Sequence, residues 1–165
     1  MSEAPHGDSD SQPGEDPRAN SAQQAPGGDS YTWYRRGLDL LGRGSPAAAA
    51  QLLERAAEAE PGARSVLEAL GRAQFDTGRY AQAADSFRQI VEASPSDDYA
   101  HFGLGLALAR SGDPAAAAEH LALAAAMRPE LRHYTEALRG VRATLRARAQ
   151  AAAPDPPGPA SEEPS

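Results

Sequence analysis

The sequence contains no cysteine and no lysine. Without cysteine the chain cannot form a disulfide, a thiolate zinc site, an iron–sulfur cluster or a thiol nucleophile. Without lysine it cannot form a Schiff base with a carbonyl substrate or cofactor. All 16 basic residues are arginine, a composition typical of GC-rich genomes, and we expect a bacterial source. These absences exclude several classes of enzyme and cofactor site.

Long hydrophobic runs and an excess of positive charge are also absent. No stretch approaches the roughly 20 apolar residues of a membrane-spanning helix, and residues 1–20 show neither the basic nor the apolar region of a signal peptide. We therefore expect a cytoplasmic protein that does not contact a membrane. The net charge of −7 opposes nucleic-acid binding by the whole chain, because phosphates are attracted to basic surfaces.

Aromatic residues make up 5% of the chain, against 41% for all hydrophobic residues, and much of the apolar share is alanine. Alanine lets helices pack closely without filling a deep interior, which favours a thin architecture. Proline, glycine, serine and acidic residues dominate residues 1–29 and 154–165, where no hydrophobic periodicity occurs. The composition predicts disordered tails around one ordered stretch of about 120 residues.

Between the tails, certain proline, glycine and alanine residues recur every 34 positions. Pro61, Pro95 and Pro129 keep that step. The same step separates three further sets: Gly37, Gly71 and Gly105; Gly44, Gly78 and Gly112; and Ala49, Ala83 and Ala117. Four sets in one register indicate a structural repeat, since periods of this length are typical of helical arrays.

Each repeat predicts two amphipathic helices joined by a tight turn. Ser45 precedes Pro46 and Asp113 precedes Pro114, which places a capping oxygen before a proline at the first helical position. The glycine before each pair suits the left-handed residue that ends the preceding helix. These signals predict six helices near residues 31–43, 46–59, 64–77, 80–93, 97–111 and 114–127.

With this register, the sequence resembles the tetratricopeptide repeat family, whose units combine aromatic, Leu-Gly, Ala and closing Pro positions. The residues that carry the resemblance are Trp33, Gly37, Ala49, Ala56 and Pro61; Leu70, Gly71, Tyr80, Ala83, Phe87 and Pro95; and Leu104, Gly105, Ala117, Ala124 and Pro129. The sequence departs from the family pattern at Arg36, Leu53, Ile90, His101 and Leu121. The resemblance implies an all-α, right-handed α-solenoid, with repeats at 30–63, 64–97 and 98–131 and a capping helix at 132–153. It also implies a non-catalytic adaptor that binds a protein or peptide.

In this family, one face of each first helix lines a groove that takes peptide segments of a partner. Carried over by register, this partner-binding groove is formed by Tyr31, Tyr34, Leu38, Arg72, Phe75, Tyr99, Phe102, Leu106 and Arg110. An apolar anchor residue and a carboxylate near an arginine would suit it. Alternatively, these aromatic rings pack on one another or are covered by a tail or the capping helix.

One subfamily grips the acidic C-terminus of chaperones with Lys, Asn and Arg residues along this groove. The corresponding positions of this sequence hold Tyr34, Leu38, Ala69, Tyr99 and Gly103. We therefore expect recognition that is more apolar than such a carboxylate clamp.

A seventh helix follows Pro129. Its apolar face consists of Leu131, Tyr134, Leu138, Val141 and Leu145, as needed to cover the open end of a helix stack. Residues 132–153 carry five arginines against one glutamate, and a possible basic patch along one flank consists of Arg132, Arg139, Arg142 and Arg146. This flank is either a solvated helix face or a site for an acidic partner, RNA or the chain's own acidic residues 1–29.

We find no sequence motif for catalysis, a metal or a cofactor. No phosphate-binding loop, nucleophile elbow or HExxH zinc motif occurs, and the Gly103-Leu-Gly105 segment lacks a preceding strand and a third glycine. His101 and His120 lie on paired helices but have no third ligand at metal spacing, and Asp97 begins a helix where acids cap N–H groups. We expect no enzyme, no cofactor and no metal. The alternative to an adaptor is a structural subunit that forms a homo-oligomer or a permanent complex through its terminal helices.

Overall fold

The computed structural model describes residues 26–154, in which consecutive α-helices pack against one another. The helices are α1 (Pro26–Gly42), α2 (Pro46–Ala59), α3 (Arg64–Asp76), α4 (Tyr80–Ala93), α5 (Asp98–Ser111), α6 (Pro114–Met127) and α7 (Arg132–Ala151). This part of the chain contains no strand, and the predicted all-α solenoid is confirmed. None of its helices is both long and apolar enough to cross a bilayer.

Five of the six predicted repeat helices agree with the structure to within one residue, and the exception is α1. The prediction of disorder through residue 29 is wrong at its C-terminal end, because α1 already begins at Pro26. Ser30 in this first part of α1 is only 1% exposed, and its Oγ lies 3.5 Å from the carbonyl oxygen of Ala56 in α2. The packing against α2 therefore accounts for the earlier start. The rest of the predicted tails, residues 1–25 and 155–165, lies outside the described residues.

The ends of the helices follow the predicted turn chemistry with one exception. The carboxylates of Asp97 and Asp113 each accept the backbone N–H three residues further on, at 2.9 and 3.0 Å. Ser45 forms no such bond, so the side-chain cap predicted there is wrong. Gly44 and Gly112 have φ angles of 74° and 101°, and this left-handed conformation costs glycine little because it has no Cβ.

Glycines allow the helices of a pair to approach closely. A Cβ on Gly37 would lie 2.6 Å from Cγ of Leu53, and one on Gly105 would lie 2.6 Å from Cγ of Leu121. Both leucines are fully buried. Since real Cβ atoms do not come so close to carbon, these two crossings require a residue without a side chain.

Helix α7 takes the place of the first helix in a fourth pair. It contacts α6 and α5, just as α5 contacts α4 and α3. It begins at Arg132, which is 34 residues after Asp98 at the start of α5. Its side chains Leu138 and Val141 join Leu121 in the last hydrophobic cluster. The 34-residue register therefore continues into α7, although no second helix follows it in the described residues.

Candidate functional site

An open pocket of about 220 Å³ lies between α3 and α5. Its lining residues are Arg72, Phe75, Asp76, Phe87, Tyr99, Phe102, Gly103 and Leu106. The structure thus brings together five predicted groove residues, Arg72, Phe75, Tyr99, Phe102 and Leu106. They meet because the first helices of successive pairs contact one another, so residues about one repeat apart lie side by side. We call this cavity the aromatic pocket.

Phe87 forms the floor of the aromatic pocket from α4. Its side chain is 2% exposed, and a Cβ on Gly71 or Gly103 would lie 2.8 or 2.6 Å from its ring. The ring of Tyr99 meets it edge-on at a centroid distance of 6.3 Å. From the sequence, Phe87 belongs to the repeat pattern and is not among the predicted groove residues. The signal that identifies it is the pair of glycines on the two flanking helices, because their missing side chains leave room for the ring of Phe87 between those helices.

The mouth of the aromatic pocket carries one positive and one negative side chain. Arg72 and Asp76 are both exposed, and neither forms an ion pair within the described part of the chain. Burial raises the pKa of Tyr99, although the nearby charge of Arg72 opposes the shift. The Tyr99 hydroxyl therefore stays protonated at neutral pH, and the pocket offers apolar walls beneath two charged groups.

Arg110 lies beside the aromatic pocket and not among its lining residues. Its guanidinium carbon is 5.6 Å from the ring centroid of Phe75 and 5.8 Å from that of Tyr80. The two rings meet edge-on at 5.1 Å, and Arg110 donates a 3.4 Å hydrogen bond to the Tyr80 hydroxyl. Cation–π attraction to two rings orients this arginine and also fixes Phe75, one wall of the pocket.

Helix α7 covers the far end of the predicted groove. The ring of Tyr134 stacks on Phe102 at a centroid distance of 4.5 Å, and His133 meets Phe102 edge-on at 5.2 Å. Tyr134 is 2% exposed and donates a 2.9 Å hydrogen bond to Asp98. Burial, followed by this hydrogen bond, raises the pKa of Tyr134. One alternative from the sequence, coverage by the capping helix, thus applies to Phe102 but not to the whole pocket.

The groove residues of the first repeat lie apart from the aromatic pocket. Tyr31 and Tyr34 line a second cavity of about 250 Å³ between α1 and α3, together with Arg64 and Val66. Leu38 packs against the hydrophobic cluster of the first repeat. The strip predicted as one groove therefore contains two separate cavities, of which the one between α3 and α5 is richer in aromatic residues.

The two histidines of the third repeat are in direct contact. Their Nδ1 atoms lie 3.0 Å apart, and Nε2 of His101 is 2.8 Å from the carbonyl oxygen of Pro95. Because a carbonyl only accepts, Nε2 of His101 carries a proton, and one of the two Nδ1 atoms donates to the other. Burial lowers the pKa of His120. Residues 26–154 contain no group of three His, Cys, Asp or Glu side chains that could hold a metal ion.

The arginines of the predicted basic patch are all exposed along α7. They are Arg132, Arg139, Arg142 and Arg146. None of them forms an ion pair within residues 26–154, in contrast to Arg64 and Arg79, which bridge to acids of other helices or loops at 2.6 and 2.7 Å. Among the described residues, no acidic side chain therefore neutralises the positive charge of the patch.

The family model described as tetratricopeptide repeat matches residues 34–98 and 69–131. Together these matches cover more than half of the chain and include the lining of the aromatic pocket. No curated protein matches the sequence.

Several solved structures share the fold at low sequence identity. The first TPR of Spaghetti (RPAP3), bound to HSP90 peptide SRMEEVD, is 17% identical, with a TM-score of 0.67 over 71% of this chain and 93% of that chain. MamA from Desulfovibrio magneticus RS-1 is 21% identical, with a TM-score of 0.69 over 81% of this chain and 73% of that chain. The type III secretion chaperone SycD of Yersinia enterocolitica, in complex with a peptide of the translocator YopD, is 16% identical, with a TM-score of 0.62 over 69% of this chain and 92% of that chain.

Proposed function

Because the chain belongs to the tetratricopeptide repeat family, we propose that it is a non-catalytic adaptor that binds a peptide or helix of a partner protein in the aromatic pocket. The observation that carries the proposal is the open cavity whose floor and walls are Phe87, Phe75 and Tyr99. Two similar structures, the Spaghetti domain and SycD, hold peptides, which supports this class of ligand. As part of the same proposal we place the protein in the cytoplasm, which cell fractionation tests.

The pocket chemistry favours one apolar side chain of the partner as the anchor. Aromatic walls stabilise a buried aliphatic or aromatic group, and such anchors contribute most of the binding energy of peptide interfaces. Arg72 at the mouth can pair with a carboxylate of the same peptide. The positions of a carboxylate clamp hold Tyr34, Leu38, Ala69, Tyr99 and Gly103. We therefore expect the peptide SRMEEVD to bind weakly or not at all.

A peptide selection followed by titration tests the proposal. Peptides selected from a random library by the wild-type chain are titrated against Phe75→Asp, which places a charge in the pocket wall. We expect affinity to fall by about tenfold or more, as for removal of an anchor contact. The matched control is Tyr31→Asp, since Tyr31 is 63% exposed and lies outside the pocket.

The two variants distinguish pocket binding from other modes. Equal affinity of wild type and Phe75→Asp for every selected peptide contradicts the pocket assignment. Melting curves of both variants establish that the chain is folded, because Phe75 also contacts Tyr80 and Arg110.

A second candidate function is a structural subunit that assembles through the outer face of α1. Among the described helices, α1 contacts only α2 and α3. Tyr31 on α1 is the most exposed large apolar residue of the described chain. Sedimentation tests this alternative. A concentration-dependent dimer that Tyr31→Asp dissociates supports it, and a monomer at all concentrations contradicts it.

A further inference from the structure

Four exposed arginines occupy the face of α7 on which the second helix of a pair would pack. The register relates α7 to α5 by 34 residues, so that Arg139 corresponds to Gly105. In α5 the corresponding face contacts α6. A Cβ on Gly105 of α5 would meet Leu121 of α6, and His101 of α5 touches His120 of α6. The equivalent face of α7 carries charge in place of small and apolar residues. No apolar helix can pack there as α6 packs on α5.

These arginines form one continuous surface, the arginine stripe, which consists of Arg132, Arg139, Arg142 and Arg146. At about 100° per residue they fall within about 80° of the helix circumference, and they extend over about 21 Å. Helix α7 has five arginines against Glu136 and a net charge of +4, whereas every other helix has a net charge of 0 or −1. Positive charge is therefore concentrated on a single helix face of an otherwise acidic protein.

The surroundings of the arginine stripe do not suit a nucleic acid or a membrane. Single-stranded nucleic acids need exposed aromatic rings on which bases stack, but Tyr134 of α7 is buried against Phe102. Amphipathic helices bind membranes through an exposed apolar face, but Leu138 and Val141 are buried against the third repeat. The acidic remainder of the chain would also repel any long polyanion. A short carboxylate-bearing ligand has none of these difficulties.

We propose that the arginine stripe binds a short acidic segment of a partner protein, laid along α7 where the second helix of a pair would lie. Guanidinium groups bind carboxylates through two parallel hydrogen bonds, which gives both strength and orientation. Four arginines over about 21 Å match acidic side chains repeated along one helical or extended segment. This surface is distinct from the aromatic pocket, so the chain has two binding sites of different chemistry.

Fluorescence anisotropy with a labelled oligo-glutamate peptide and the full chain tests the proposal. The variant Arg139→Glu/Arg142→Glu/Arg146→Glu reverses three charges of the arginine stripe and should weaken binding by about tenfold or more. The charge-matched control Arg35→Glu/Arg36→Glu/Arg43→Glu changes exposed arginines in and directly after α1 and should alter affinity by no more than about twofold. The Phe75→Asp variant should bind the oligo-glutamate peptide as wild type does. All arginines involved are exposed. Should the triple glutamate variant fail to fold, Arg139→Gln/Arg142→Gln/Arg146→Gln removes the same three charges more mildly.

Each other outcome contradicts the proposal. An equal loss of affinity for the peptide in the stripe variant and in the charge-matched control indicates a general effect of net charge. Tighter binding of oligo-uridine RNA, or of vesicles of phosphatidylserine and phosphatidylcholine, assigns the arginine stripe to another ligand. Peptide binding that occurs only after deletion of residues 1–25 or 155–165 shows that an acidic tail of the chain itself is the occupant. If the oligo-glutamate peptide does not bind wild type even at low salt, the arginine stripe is a solvated helix face without this function.

Discussion

The ring of Phe87 occupies the space that a side chain on Gly103 would need. A Cβ on Gly103 would lie 2.6 Å from Cε1 and Cζ of that ring. Phe87 is almost fully buried and is also bounded by Gly71 on the other side, so its ring has no room to move away. The same contact holds α3, α4 and α5 together and places the ring of Phe87 at the floor of the aromatic pocket.

Gly103→Ala should therefore destabilise the protein despite the better helix propensity of alanine. Overpacking of a filled core costs about 1–3 kcal/mol, whereas replacing a helical glycine by alanine contributes about 1 kcal/mol in the other direction. Chemical denaturation measures the difference in the free energy of unfolding. The matched control is Gly140→Ala in α7, where nothing lies within 4 Å of an added Cβ, and this variant should be more stable than wild type. Equal stability of the two variants would disprove the steric role of Phe87.

The positions of the pocket residues were predictable because the repeat places them. Phe75 and Tyr99 lie on first helices in a known register, and the 34-residue step determines which faces of α3 and α5 meet. The sequence alone did not predict that Tyr134 stacks on Phe102. That contact depends on how closely α7 approaches α5, and this distance is set by the packing of Leu138 against the third repeat.

The start of α1 is a place where local sequence signals gave the wrong prediction. Residues 26–29 read Pro-Gly-Gly-Asp, and glycine and proline are poor residues in a helix. Ser30 is nevertheless buried against Ala56 of α2, and tertiary packing of this kind overrides propensity. A pattern of turn-forming residues therefore predicted a tail where the first turn of a helix forms.

Asp113→Ala should reduce stability, whereas Ser45→Ala should not. Both residues precede a proline at the first helical position, but only Asp113 accepts a backbone N–H, from Ala116 at 3.0 Å. Removal of a side-chain cap costs about 1 kcal/mol. Thermal denaturation of the two alanine variants, with Asp113→Asn as a variant that retains a capping oxygen, measures this difference. A Ser45→Ala variant as unstable as Asp113→Ala would show that the bond between Asp113 and the backbone N–H of Ala116 is not the cause of the loss.

The contact between His101 and His120 predicts that the third repeat loses stability in mild acid. Burial, and then the neighbouring imidazole and Arg88, lower the pKa of His120 in the folded state from its ordinary value of 6.5, while Glu119 opposes the shift. The unfolded chain therefore takes up this proton at a higher pH than the folded chain does. The contribution to stability is fully present above pH 6.5 and is lost as the pH falls through the lowered folded value. Two protonated rings would also place N–H groups face to face across the 3.0 Å contact.

Guanidinium denaturation at a series of pH values measures this effect. Between about pH 7 and pH 5 the free energy of unfolding of wild type should fall more steeply than that of His120→Gln, which cannot take up the proton. The matched control is His133→Gln, since His133 faces the rings of Phe102 and Tyr134 and not a second imidazole. This control should keep the wild-type slope. Parallel pH profiles for wild type and His120→Gln would show that the histidine contact has no part in the acid response.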